Sequence, residues 1–369
     1  MDSVKKDNRL LSLDTLRGFD MFFIMGGDAL FLTICSLFPG TLLGGWGKQM
    51  YHVAWDGFTF YDLIFPLFLF LAGVSFPFSL AKQRTMGKSN IAISKKIVWR
   101  GLMLILLGVV YNGLLQFDFA ELRYASVLGR IGSAWMFAAL LYLWLGRKVV
   151  ALLSVALLLG YWALLACVPV PGAEGLSPFS IDGSLVSYVD RLLLPGHLHD
   201  GVHDPEGLLS TLPAVVTALL GIFAGEFVRL RSLGGYKKVA CLFAAALVLL
   251  LIGWLWSSVF PINKNLWSSS FVCFAGGWSL VLFALFYLVV DVLQWRGWTL
   301  FFRVIGLNSI TIYLAQQFVD FHKLNTSLFG GVINLVPSSL HSVAYWVCYV
   351  AVCWCLLYFL YRKKIFLKV

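Results

Sequence analysis

The chain has 369 residues, of which 60% are hydrophobic, 16% aromatic and only 12% charged, with a mean hydropathy of +0.85. That composition excludes a soluble protein of ordinary domains and points to a polytopic membrane protein. The net charge of +10 does not mark a nucleic-acid binder, because the basic residues fall in short clusters between apolar runs instead of forming one stripe.

Ten apolar runs are long enough to span, near residues 19–37, 59–81, 97–117, 125–145, 148–168, 209–228, 238–258, 266–290, 298–320 and 340–361, since about 20 helical residues cross a hydrocarbon core of about 30 Å. The expected fold is therefore all-α: about ten transmembrane helices forming one bundle, a single domain over residues 1–369. An even number of crossings puts both termini on one side. Of the 28 Lys and Arg, 22 fall on the terminal side of this alternation, and six (Lys48, Arg123, Arg130, Arg191, Lys264, Lys323) fall on the other. By the positive-inside rule both termini are cytoplasmic. The polar, basic head MDSVKKDNRLLSLDTLRG gives no reason to expect a cleavable signal peptide.

In the first run Asp14 and Arg17 are three apart and can pair on one helix face, or Arg17 can present its guanidinium to a phosphate at the cytoplasmic mouth. Asp28 lies about 15 Å along the helix from Gly18, near the bilayer centre. An ionisable group there is a functional candidate by default, the plain alternative being a structural ion pair. The next stretch, YHVAWDGFTFYDLIFPLFLFLAGVSFPFSL from Tyr51 to Leu80, sets His52, Trp55, Asp56 and Asp62 directly before a long uncharged run. A histidine beside carboxylates at a membrane mouth suits a general base or a proton relay, against the plain reading of an interfacial loop histidine.

Arg130 opens the fourth run, where snorkelling explains it cheaply. The fourth and fifth runs meet at Gly146, Arg147 and Lys148 and should form a tight hairpin. Residues 169–208 make the one long loop, with SLVSYVDRLLL as a short interfacial helix within it. Its His197, His199, His203, Asp200 and Asp204 are donors that suit zinc, but their spacing matches no zinc signature and no metal is expected. Glu226 and Arg229 read as an ordinary pair three apart. Asn265 and Asn308 suit either a sugar or a helix-to-helix link, and Trp55 and Trp267 either an interface anchor or a sugar-stacking platform. The seven cysteines (Cys35, Cys167, Cys241, Cys273, Cys348, Cys353, Cys355) show no CxxC pair and read as packing residues, with a Cys35–Cys167 bridge at the outer mouth left open. There is no Walker loop, Rossmann fingerprint or serine nucleophile elbow, so any catalysis comes from groups lining the bundle.

RLLSLDTLRG, HVAWDGFTFYDLIFPLFLFLAGVS, VLGRIG, VDRLLL, DPEGLLST, INKNLWSSSF and GLNSI, in this order, resemble the blocks of the transmembrane acyltransferases typified by heparan-α-glucosaminide N-acetyltransferase and its bacterial relatives. The resemblance covers almost the whole chain. It implies acetyl transfer from cytosolic acetyl-CoA to the amino group of a glucosamine-type sugar across a bacterial inner membrane, by a version of the bundle without the family's preceding lumenal domain. The family's catalytic histidine falls on His52. Its polar first-span position falls on Asp28, where the eukaryotic enzyme carries asparagine. Arg17, Asp14 and Arg130 are then expected near the cofactor, and Trp55, Asp62, Asp204, Glu206, Asn265 and Asn308 near the sugar. His52 takes the proton of the attacking amine or first takes the acetyl group itself, and Asp28 orients the imidazole or holds the amine.

The implied partners are acetyl-CoA, the amino sugar and membrane lipid, with a homodimer left open. SLDTLRG also resembles the opening of the acyltransferase-3 family, O-acyltransferases of surface glycans, which lacks the His52 block. A proton-coupled sugar transporter using Asp28, Asp62 and His52 as a relay is the competing class, though the hydropathy shows no inverted repeat.

Overall fold

The computed structural model describes residues 10–367, which form helices joined by loops, with no strand and a single isolated bridge between Arg123 and Gly196. Lys5, Lys6, Arg9 and Lys368, which entered the charge census, lie outside the described residues. Among the described residues, eight helices are long and apolar enough to cross a membrane: Leu11–Ser36, Phe60–Thr85, Val127–Leu145, Arg147–Cys167, Thr211–Val228, Gly235–Trp256, Ser269–Val292 and Ser338–Arg362. The run at 97–117 lies in the helix Asn90–Tyr111, whose first half carries Lys95, Lys96 and Arg100. The run at 298–320 folds as two short helices, Thr299–Leu307 and Ser309–Phe318, broken at Asn308. A further 14-residue helix, Phe321–Asn334, has no counterpart among the expected spans.

The first span starts earlier than its apolar run, at Leu11, and it is not one rod. Residues Phe23–Gly27 form a π-turn in which Gly26 has φ 104, a left-handed conformation open to glycine at little cost. Asp28 therefore opens a second helical segment, Asp28–Ser36.

Lipid is as apolar as leucine, so membrane helices associate where small residues let backbones meet. Between Phe60–Thr85 and Thr211–Val228 three glycines make that contact. A Cβ on Gly73 would stand 2.1 Å from the Ala218 carbonyl oxygen, one on Gly221 2.0 Å from that of Phe70, and one on Gly225 2.3 Å from that of Val74. Phe70, Leu71, Val74, Leu219 and Ile222 are fully buried around the seam. Gly146, at φ 74, makes the expected tight turn between the fourth and fifth runs, and Leu185–Leu193 is the short helix of the long loop, with Val186, Ser187 and Asp190 turned inward.

Three local expectations are corrected. Glu226 pairs with Arg147 at 3.8 Å, because the hairpin brings Arg147 to it, while Arg229 lies over the Phe78 ring at 5.8 Å. Trp267 is neither an interface anchor nor a platform: it is wholly buried, donates to Thr217 Oγ1 at 3.1 Å and packs against Phe65. Cys35 is buried and Cys167 exposed, and both are free thiols.

Candidate active site

The site is built on the start of Phe60–Thr85. Thr59 and Asp62 form a capping box, in which the carboxylate three residues into the helix reaches back to the cap. Asp62 Oδ2 accepts from the Thr59 N–H at 3.2 Å and the Val53 N–H at 3.4 Å. That leaves Oδ1 pointing at the loop, where it meets His52 Nδ1 at 2.7 Å. Asp62 is 1% exposed and the imidazole half-exposed. A carboxylate on Nδ1 favours the proton there and leaves Nε2 as the acceptor nitrogen. The carboxylate that orients His52 is thus Asp62, in place of the expected Asp28. Asp28 instead bonds the Tyr61 hydroxyl, and the Tyr61 ring lies 4.8 Å from that of His52.

A cation completes the group. The segment Pro261–Ser268 is stitched to the His52 loop by Gly57 N–H to Ile262 O at 2.8 Å and by Asn263 Nδ2 to Asp56 Oδ1 at 3.0 Å. This delivers Lys264 Nζ to 3.2 and 3.4 Å from the two His52 nitrogens and 3.6 Å from Asp62 Oδ1. Burial holds the Lys264 ammonium below the usual lysine range, with Asp62 pulling the other way.

His52 opens onto a cavity of about 430 Å³, lined by the polar or amphipathic side chains of Trp55, Asp62, Arg123, Glu206, Lys264 and Asn265 and by Met21, Ile24, Phe68, Ile131, Ile310 and Tyr313. The imidazole is thereby continuous with the first span. Trp55 is held in the wall by its Nε1–H to Phe179 O at 2.8 Å and stacks edge-on against His203 at 5.2 Å. Arg123 clamps Asp204 with Nε and Nη2 at 2.8 and 2.6 Å and also bonds Glu206. Burial opposes ionisation of both partners, yet the pairing overrides it, lowering the Asp204 carboxyl and raising the guanidinium.

The other expected residues lie elsewhere. Asp204 is fully buried and spent on Arg123, on the His199 N–H and on the Glu206 N–H, so Glu206 alone of that pair faces the cavity. Asp14 and Arg17 pair at 3.8 Å and are absent from the cavity wall. Arg130 is buried on Gly207 O and Ser210 Oγ, with its guanidinium 5.1 Å from the Trp267 ring, so it ties loop to core instead of snorkelling. Asn308 sits buried in the helix break, and its neighbour Ser309 reaches the cavity. His203 is buried against Ser187 Oγ at 3.1 Å, and no group of three His, Cys, Asp or Glu side chains poised for a metal occurs among the described residues.

The sequence reading missed Lys264, Arg123 and Tyr61 as site groups, and also Asp20. Asp20 is completely buried, with neither oxygen hydrogen-bonded among the described residues. A carboxylate inside FDMFF was the signal for it. The other three carry no local signal, because their partners are distant in the chain.

No family model matches the chain. It is 30% identical over 424 residues to heparan-α-glucosaminide N-acetyltransferase of Homo sapiens and 30% identical over 431 residues to the protein of the same name from Mus musculus, each match covering 98% of the chain. The chain spans 60% and 61% of the length of these two curated relatives. It is a relative of the heparan-α-glucosaminide N-acetyltransferases, and the relationship runs along nearly every residue it has.

Proposed function

We propose that the chain is a membrane-embedded acetyltransferase that moves an acetyl group from cytosolic acetyl-CoA to the amino group of a glucosamine-type sugar on the outer side of a bacterial inner membrane. The observation that carries this reading is the His52–Asp62 pair, 2.7 Å apart, in the wall of a cavity otherwise lined largely by apolar side chains. Ligand sites commonly have that form, a largely apolar cleft of about 300–1,000 Å³ with a few convergent polar groups. The wall formed by Met21, Ile24, Phe68, Ile131 and Ile310 suits the acyl and pantetheine portion of the donor. Trp55, Glu206 and Asn265 offer one aromatic face, one carboxylate and one amide to a sugar at the mouth. Arg17 is reassigned from a donor phosphate contact to the pairing with Asp14.

In the reaction the sugar nitrogen attacks the thioester carbonyl, the N–C bond forms and the C–S bond breaks. His52 Nε2 takes the proton that the nitrogen sheds and returns it to the departing thiolate, while Asp62 steadies the imidazolium between the two transfers. Tyr61 and Asp28 brace the ring from the side of the first span.

Vesicles loaded with labelled acetyl-CoA test this. Label should appear on external glucosamine with the wild-type chain and vanish with His52→Ala, which should leave thermal stability near wild type because the imidazole is half-exposed. Label that appears with His52→Ala overturns the role of His52. Sugar carried inward without gaining label favours a transporter.

A further inference from the structure

A buried carboxylate on Nδ1 strengthens an imidazole as a base, and by the same attraction it favours the imidazolium. Here a second charge answers it. Lys264 Nζ is nearly equidistant from the two ring nitrogens, at 3.2 and 3.4 Å, and 3.6 Å from Asp62 Oδ1. The lysine, the carboxylate and a neutral imidazole sum to zero, whereas an imidazolium would face a cation at contact distance. We propose that Lys264 is the positioning residue of this site, its ammonium opposing a second positive charge on the His52 ring and balancing the Asp62 carboxylate. This rests on the reading of His52 as the base and deepens it.

The surroundings leave the task to this residue. From Phe60–Thr85, Asp62 and Tyr61 face the ring, and Asp28 reaches it through the Tyr61 hydroxyl. From the other elements around the cavity come Arg123, His199, Asp200 and Glu206. Arg123 is the other cation on that wall, and it is spent on Asp204 and Glu206. Lys264 has Asp62 alone within ion-pair distance among the described residues. Its position is fixed by backbone stitching, not by a flexible stem, since Asn263 both bonds Asp56 and accepts the Leu266 N–H at 2.8 Å. At 15% exposure the ammonium is poorly screened by water.

The test uses the full chain in lipid vesicles and reads His52 directly. Diethylpyrocarbonate acylates neutral imidazole, so the pH dependence of His52 labelling, followed by peptide mass spectrometry, reports when the ring loses its proton. Lys264→Gln should move that midpoint upward, because the charge opposing the imidazolium is gone. Lys264→Arg should hold it near wild type. Lys264→Met, which keeps the aliphatic stem, serves where the glutamine variant does not fold. The acid limb of acetyl transfer should move with the labelling midpoint. A neutral variant that labels with the wild-type midpoint overturns the proposal. Because labelling needs no turnover, a shifted midpoint in a chain that acetylates no sugar would instead retire the proposed reaction while leaving the role of Lys264 standing.

Discussion

Replacing Asp62 by asparagine probes the orientation of His52 with almost no change in shape. The Oδ2 position accepts two backbone N–H groups, from Thr59 and Val53, so the asparagine oxygen must occupy it. Its NH₂ is thereby forced into the place of Oδ1, facing His52 Nδ1. An amide donor there drives the imidazole proton onto Nε2, the nitrogen needed as base. The same exchange in a serine-protease triad lowers kcat by about 10⁴ through the wrong tautomer, and a fall of about 10³–10⁴ in kcat with KM within a few-fold is expected here. Lys264 also loses its counter-charge. Removing one member of a buried pair costs about 3–5 kcal/mol, and with Lys264 15% exposed the lower end, about 3 kcal/mol, applies. Initial rates in acetyl-CoA-loaded vesicles, together with thermal unfolding in detergent, measure both effects. An Asp62→Asn protein whose kcat stays within tenfold of wild type would refute the argument.

Two further outcomes follow from packing and charge. Gly225→Ala would put a methyl 2.3 Å from the Val74 carbonyl oxygen, and since backbone cannot yield, the helix pair should separate at a cost of about 1–3 kcal/mol or more, visible as a lower Tm; an unchanged Tm would contradict the close contact. In the long loop, burial pushes His203 down to about 4 and Asp190 up to about 6. The unfolded chain takes up a proton at His203 near pH 6.5 and the folded chain only near 4, so that group loses stability as pH falls through this window. Asp190 binds its proton near 6 when folded and near 3.8 when unfolded, so its contribution is present at low pH and lost as pH rises through 6. The two should nearly cancel between pH 7 and 5. His203→Gln should become more stable on acidification and Asp190→Asn less so, in thermal scans at the two pH values.

Much of the bundle was legible in the sequence because apolar length is a local property. The runs at 59–81, 125–145, 148–168 and 209–228 became helices within a few residues of their expected limits. The first helix was misjudged at its start, since Asp14 and Arg17 make its opening turns look polar until their pairing is seen. The break at Asn308 has no proline to announce it, only the weak helix formers Gly306, Asn308 and Ser309. At the site, His52 and Asp62 stood out because they precede an uncharged run, although only the capping box shows that Asp62 turns back onto the imidazole. Lys264 lies 212 residues from His52, and Arg123 lies 81 and 83 residues from Asp204 and Glu206. Pairings of that separation are created by the fold and leave no periodic trace. Glu226 shows the converse: a neighbour three residues away looked sufficient, and the hairpin supplied Arg147 instead.

The seam formed by Gly73, Gly221 and Gly225 reaches past its own depth in the bundle. One of the joined rods begins at the capping box of Thr59 and Asp62, and the other begins at Thr211, five residues after Glu206. Riveting the two rods together sets the gauge between the imidazole wall and the carboxylate wall, and the loop contacts made by Arg123 and Asn263 hold the side chains to it.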